Sequence, residues 1–147
     1  FLSYYTKHNT DHSSPYPGVP ELLEQLQERN ILLSVASNKY QEGTSKLVKH
    51  YFPQISFVKV LGQREGFAPK PDPAIVYDIL SAVPVLKNEV LYVGDSGIDM
   101  QTAQNSGVIS CGVTWGFRPR SELEIYHPHY MVNKADMILD IIDKLAN

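Results

Sequence analysis

One cysteine, Cys111, stands in 147 residues, inside the apolar stretch VISCGV. A lone thiol cannot close an internal disulfide, which suits a reducing cytoplasm, and its neighbours make it a small buried hydrophobe rather than a nucleophile. Long apolar runs are missing as well. None approaches the roughly 20 residues needed to cross a bilayer, so no membrane role is expected. Nor is there a block of like charge: the net charge is −3, and no basic surface presents itself to nucleic acid. The first residues, polar and aromatic, lack the pattern of a signal peptide. Phe1 stands where a Met would open a chain, which reads as processing or as a piece of something longer. Repeats and low-complexity segments are absent.

What is present suits a single domain with a proper core. Apolar Val19, Leu22, Leu23 and Leu26 recur at helical spacing over Val19 to Arg29, with Pro20 in the first turn. A strand follows over Ile31 to Lys39, then a helix from about Glu42 to Tyr51 and a short strand over Phe57 to Leu61. A helix starts near Pro73, carrying Ile75, Val76, Ile79 and Leu80 on one face. Val90 to Val93 is a second buried strand, followed by a helix to about Asn105 that Gly107 stops. Further strands are expected over Val108 to Thr114 and near Tyr130, a short helix near Ser121, and a last helix over Ala135 to Leu145. Strand and helix alternate, which predicts an α/β fold: a doubly wound, Rossmann-like parallel sheet with helices on both faces.

In such sheets ligands bind beyond the carboxyl ends of the strands. Ser37-Asn38-Lys39 and Gly94-Asp95-Ser96 both follow buried strands at once, so both belong at that edge. In GDSGIDM, Asp95 and Asp99 lie four apart. Such a pair can hold a hard cation such as Mg²⁺, and equally Asp95 or Ser96 can cap the next helix; spacing alone leaves both open. In KPDP, Pro71 biases Lys70 toward extended backbone while Asp72 and Pro73 start a helix. Lys70 is then a fixed positive charge aimed at an anion, or a solvated turn lysine. The Ser37 hydroxyl can donate to a phosphate oxygen, or cap a helix.

The order of these groups resembles the haloacid dehalogenase-like superfamily of phosphohydrolases. Ser37 in SVASNK matches its second motif, Lys70 in KPDP its third, and Asp95 with Asp99 in GDSGID its fourth. PYPGVPELLEQLQERNILLSVASNK and QNSGVISCGVTWGF look like its phosphoglycolate phosphatase branch. The resemblance implies that Ser37 and Lys70 are catalytic and bind the phosphoryl group. Asn38 and Lys39 would shape the same crevice. Asp95 would bind Mg²⁺ with support from Asp99, and the substrate would be a small phosphorylated metabolite. The family's first motif, an Asp-x-Asp carrying the nucleophile, occurs nowhere in the sequence. On this reading residues 1–14 are the end of a helical cap, and residues 15–147 are a hydrolase core without its first, central strand. Strand edges exposed by that loss would invite self-association.

A rival from another class is a non-enzymatic module that binds an anion or a partner without turnover. HPHY places His127 and His129 two apart, as a metal site or as loop histidines. Arg118 or Arg120 could reach a bound anion, while Trp115 packs on the core.

Overall fold

A computed structural model describes residues 6–8 and 13–146. β1 (Thr6–His8) and β2 (Ser13–Pro15) pair antiparallel, with Thr6 opposite Pro15. Of residues 1–14, expected to close a helical cap, the described ones form this pair, and the others lie outside the described residues.

From there strands and helices alternate. α1 (Val19–Glu28) leads to β3 (Ser34–Tyr40), α2 (Gln41–Tyr51) and β4 (Lys59–Gln63). α3 (Ala74–Leu80) precedes β5 (Leu91–Gly94), α4 (Gly97–Ser106) and β6 (Ile109–Val113). α5 (Arg120–Glu124), β7 (Tyr130–Val132) and α6 (Asp136–Ala146) complete the order. α4 ends where Gly107 adopts φ 77°, a left-handed conformation that glycine takes without steric cost.

β3 pairs parallel with β4, and β5, β6 and β7 form a second parallel ladder. Among the described residues β3 and β5 do not pair with each other. Side chains along β5 alternate between two cores, as a strand covered on both faces requires. Leu91 and Val93 join Leu22, Leu23, Leu26, Ile138 and Ile141 from α1 and α6. Val90 and Tyr92 join Ile75, Val76, Ile79 and Ala103 from α3 and α4, together with Ala36 and Leu61 from the other ladder. The second core therefore spans both ladders. Cys111 is fully buried, and burial pushes its thiol up to about 12. No helix among the described residues is long and apolar enough to cross a membrane.

Two polar devices hold β4 in place. The Gln41 side chain accepts the Gly62 N–H at 2.7 Å and donates to the Val60 carbonyl at 2.8 Å. On α3, Asp78 accepts from Arg64 at 2.8 Å and from Lys59 at 3.2 Å. The Arg64 hydrogen bond, opposed by partial burial and helped by Lys59, holds the Asp78 carboxyl below its ordinary value of 3.8. A depressed carboxyl stabilises the fold above its unfolded pKa and ceases to do so as pH falls through the folded one. Asp78→Asn should thus cost about 1 kcal/mol near neutrality. In urea melts the gap to wild type should close as pH drops below 3.8; an undiminished gap in acid would contradict the assignment.

Candidate active site

The β3–β4 ladder pairs Ala36 with Leu61 and next Tyr40 with Gln63, so three residues of β3 face one of β4. Ser37, Asn38 and Lys39 are those three. Gly62 makes the bulge possible: a Cβ there would lie 2.5 Å from the Lys39 carbonyl oxygen. The polar run is thus a bulged continuation of the strand, not its end. Bulges re-aim side chains in this way. Ser37 is half-buried, and its hydroxyl accepts the Lys39 N–H at 3.0 Å. The Asn38 amide faces the backbone of Lys70, accepting its N–H at 2.8 Å and donating to its carbonyl at 3.0 Å. Asn38 is therefore a clasp for the lysine.

The segment between β4 and α3 carries Lys70. Asn105 on α4 donates to the Pro71 carbonyl at 2.9 Å, and Asp72 accepts the Ala74 N–H at 2.9 Å at the start of α3. Anchored on both sides, Lys70 turns inward. Its amine lies 2.7 Å from Asp99 Oδ1 and 3.2 Å from the Ala36 carbonyl, and 5.9 Å from the Tyr92 ring centroid. The Lys70 and Asp99 side chains are 8% and 3% exposed. Burial works against the charged amine, but Tyr92 and the Asp99 carboxylate outweigh it and raise Lys70 above its ordinary value.

β5 and α4 supply the acids. Ser96 caps α4: its hydroxyl accepts the Asp99 N–H at 3.3 Å and donates to Asp99 Oδ2 at 3.0 Å. Oδ2 also accepts the Asp95 N–H at 3.2 Å, while Oδ1 accepts the Tyr92 hydroxyl at 3.0 Å besides Lys70. Gly94 leaves the space for this, since a Cβ there would overlap Asp99. Both oxygens of Asp99 thus serve donors within the protein. Asp95 is half-buried and is not the cap of α4. Its carboxyl is pushed up to about 7, first by burial and then by the charge of Asp99, against the pull of Lys70 and Arg118. Gly116, after β6, lies so close that a Cβ would overlap the Asp95 carboxylate. Tyr16, buried ahead of α1, has its phenol raised by burial and then by Asp95.

With Asp95 ionised, the two carboxylates outnumber Lys70 in the buried part of this edge, whose charge is then negative. A divalent cation at Asp95 reverses that sign and relieves the carboxylate. Among the described residues no group of three His, Cys, Asp or Glu is placed to hold a metal ion. Mg²⁺ keeps several waters and takes one or two protein carboxylates. A half-buried carboxylate at Asp95 beside Asp99 is a donor set compatible with Mg²⁺.

A profile described as haloacid dehalogenase-like hydrolase matches residues 1–113. The chain belongs to the haloacid dehalogenase-like hydrolase family. Among its haloacid dehalogenase-like relatives is the phosphoglycolate phosphatase of Mannheimia succiniciproducens, 29% identical over 97% of this chain and 63% of that protein. The pyrophosphatase PpaX of Listeria monocytogenes is 27% identical over 97% of this chain and 65% of its own length. A provisionally assigned phosphoglycolate phosphatase from Lactobacillus delbrueckii subsp. bulgaricus superposes with a TM-score of 0.84 at 33% identity. That match covers 92% of this chain and 56% of the other. The chain spans less than two thirds of the curated relatives it matches.

Ser37, Lys70, Asp95 and Asp99 thus lie on segments that meet at one sheet edge in this haloacid dehalogenase-like fold, the contacts running from Lys70 to Ala36 and Asp99 and from Asp99 to Asp95. Sequence reasoning missed Tyr92 and Gly116, and gave Gly94 a place at this edge but no role of its own. Tyr92 had a signal: a phenol inside an apolar strand needs a partner for its hydroxyl. The histidines of HPHY separate, His129 Nδ1 accepting the Ser110 N–H at 3.0 Å. Trp115 packs on the first core.

Removing one member of a buried ion pair strands the other charge. Lys70→Met should cost about 3–5 kcal/mol in urea unfolding, and Lys70→Met/Asp99→Asn should recover part of it. Equal losses in the single and double variants would show that the pair is not coupled.

Proposed function

We propose that this chain forms the phosphoryl- and Mg²⁺-holding part of a phosphatase of small phosphomonoesters, with 2-phosphoglycolate as the leading substrate. The observation that carries this is the convergence of Lys70, Asp95 and Asp99 between Ala36 of β3 and the end of β5. Lys70, protonated and fixed, neutralises charge on a phosphoryl oxygen without having to reorganise. The Ser37 hydroxyl, at the bulge beside it, turns to donate to a second oxygen. Asn38 positions Lys70. Asp95 would hold Mg²⁺, which when bound supplies positive charge to the phosphoryl group. Names of relatives, phosphoglycolate phosphatase and pyrophosphatase among them, support the substrate class.

An aspartyl-phosphate route needs a carboxylate free to attack phosphorus. Asp99 is committed to Lys70, and Asp95 suits the cation. The sequence holds no Asp-x-Asp, so in the longer protein the nucleophile would come from residues outside this chain. The same lack favours a second reading for the chain by itself: it binds a phosphoryl group without turnover.

Residues 1–147 alone should therefore release no more phosphate from p-nitrophenyl phosphate or 2-phosphoglycolate, with Mg²⁺, than a trace above blank. Robust turnover abolished by Asp95→Asn would show that the nucleophile lies within the chain. A separate measurement addresses the metal. Mg²⁺ titrations followed by amide chemical shifts should show affinity reduced by about tenfold or more in Asp95→Asn, with the native amide spectrum otherwise kept. An unaltered titration would remove Asp95 from the metal site.

A further inference from the structure

We infer that Arg118 is a specificity residue that favours phosphomonoesters bearing a carboxylate. This deepens the phosphatase reading and rests on it. Arg118 and Arg120 look equivalent in the sequence, yet the structure separates them. Arg120 is spent inside α5, its Nε 2.5 Å from Glu124 Oε1 one turn on. Arg118 lies between β6 and α5, two residues past Gly116, whose backbone packs against the Asp95 carboxylate.

Glu122 fixes where the guanidinium stands. Its Oε2 accepts the Gly97 N–H at 2.8 Å, at the first turn of α4 and two residues past Asp95. Its Oε1 lies 3.6 Å from Arg118 Nη1. Arg118 is thus held at the lip of the Asp95 site, and Asp95 feels its charge as a downward pull. The tether is loose. At 3.6 Å the contact is a salt bridge without a hydrogen bond, and the Arg118 side chain is 59% exposed. An exposed pair of that kind holds weakly. A guanidinium has five N–H donors in a fork that matches a carboxylate, and one long contact to Glu122 leaves donors to offer. The Gly97 N–H is already taken by Glu122, so an anion arriving beside the phosphoryl site meets the Arg118 fork. A carboxylate joined to the phosphoryl group through a short linker has the complementary charge and shape.

The test titrates the full chain, with Mg²⁺ present, using phosphonoacetate and ethylphosphonate. The two share the phosphonate and differ in the carboxylate. Wild type should prefer phosphonoacetate by about tenfold. Arg118→Gln should erase the preference and leave ethylphosphonate affinity unchanged. Arg118→Lys should keep part of the preference, and Arg120→Gln should keep all of it. Equal wild-type affinities, or a preference that survives Arg118→Gln, would overturn the inference while leaving the phosphatase reading in place, provided Lys70→Gln/Asp99→Asn, with a native amide spectrum, weakens both ligands. If that double variant weakens neither, the phosphoryl site is misplaced and both readings fall.

Discussion

Everything at the carboxyl edge is arranged around one buried ion pair. Lys70 and Asp99 meet at 2.7 Å with almost no access to solvent. In that setting a single charge is costly and a matched pair is tolerable. The pair therefore requires four pieces of chain to arrive together: the end of β3, the Pro69–Pro71 segment, β5 and the first turn of α4. Asn38, Asn105, Tyr92 and Ser96 each spend a hydrogen bond on this meeting. Replacement by apolar residues could leave the fold as stable. The specific arrangement is what the charges enforce, by making misplacement of any of the four expensive.

The pair also divides labour between two aspartates that look alike in GDSGID. Asp99 faces donors on every side and is a counter-ion. Asp95 faces its neighbour's charge and the close backbone of Gly116, and so carries a carboxyl that a cation would relieve. Glu122 adds a further constraint by occupying the first N–H of α4. The positive pole of that helix is answered internally, which leaves Lys70 as a buried positive charge of this edge.

Periodicity made most of the fold legible. The continuous apolar run of β5 and the helical spacing in α1 and α6 are local signals, and their positions agree with the structure within about two residues. The site residues were legible as a set for the same local reason: each follows a buried strand or opens a helix. Their individual roles were not. Ser37-Asn38-Lys39 reads as the end of a strand because the bulge depends on Gly62, more than twenty positions away and on another strand. β4 was expected over Phe57 to Leu61 and lies over Lys59–Gln63. Phe57 instead packs against the first core, and the Val58 N–H donates to the Leu33 carbonyl ahead of the ladder. Which of the two aspartates would answer Lys70 depends on three-dimensional neighbours that spacing does not encode.

Gln41 puts an amide side chain where a peptide group would serve, accepting from Gly62 and donating to Val60. The match works because an amide carries both a donor and an acceptor. Chemical ageing can change that. Deamidation would turn the nitrogen into a second acceptor and set it against the Val60 carbonyl, two lone pairs facing each other in a half-buried space. The bulge of β3, which carries the clasp on Lys70, ends at Lys39, two residues before Gln41. A slow hydrolysis behind the bulge would thus loosen the hold of Asn38 on Lys70.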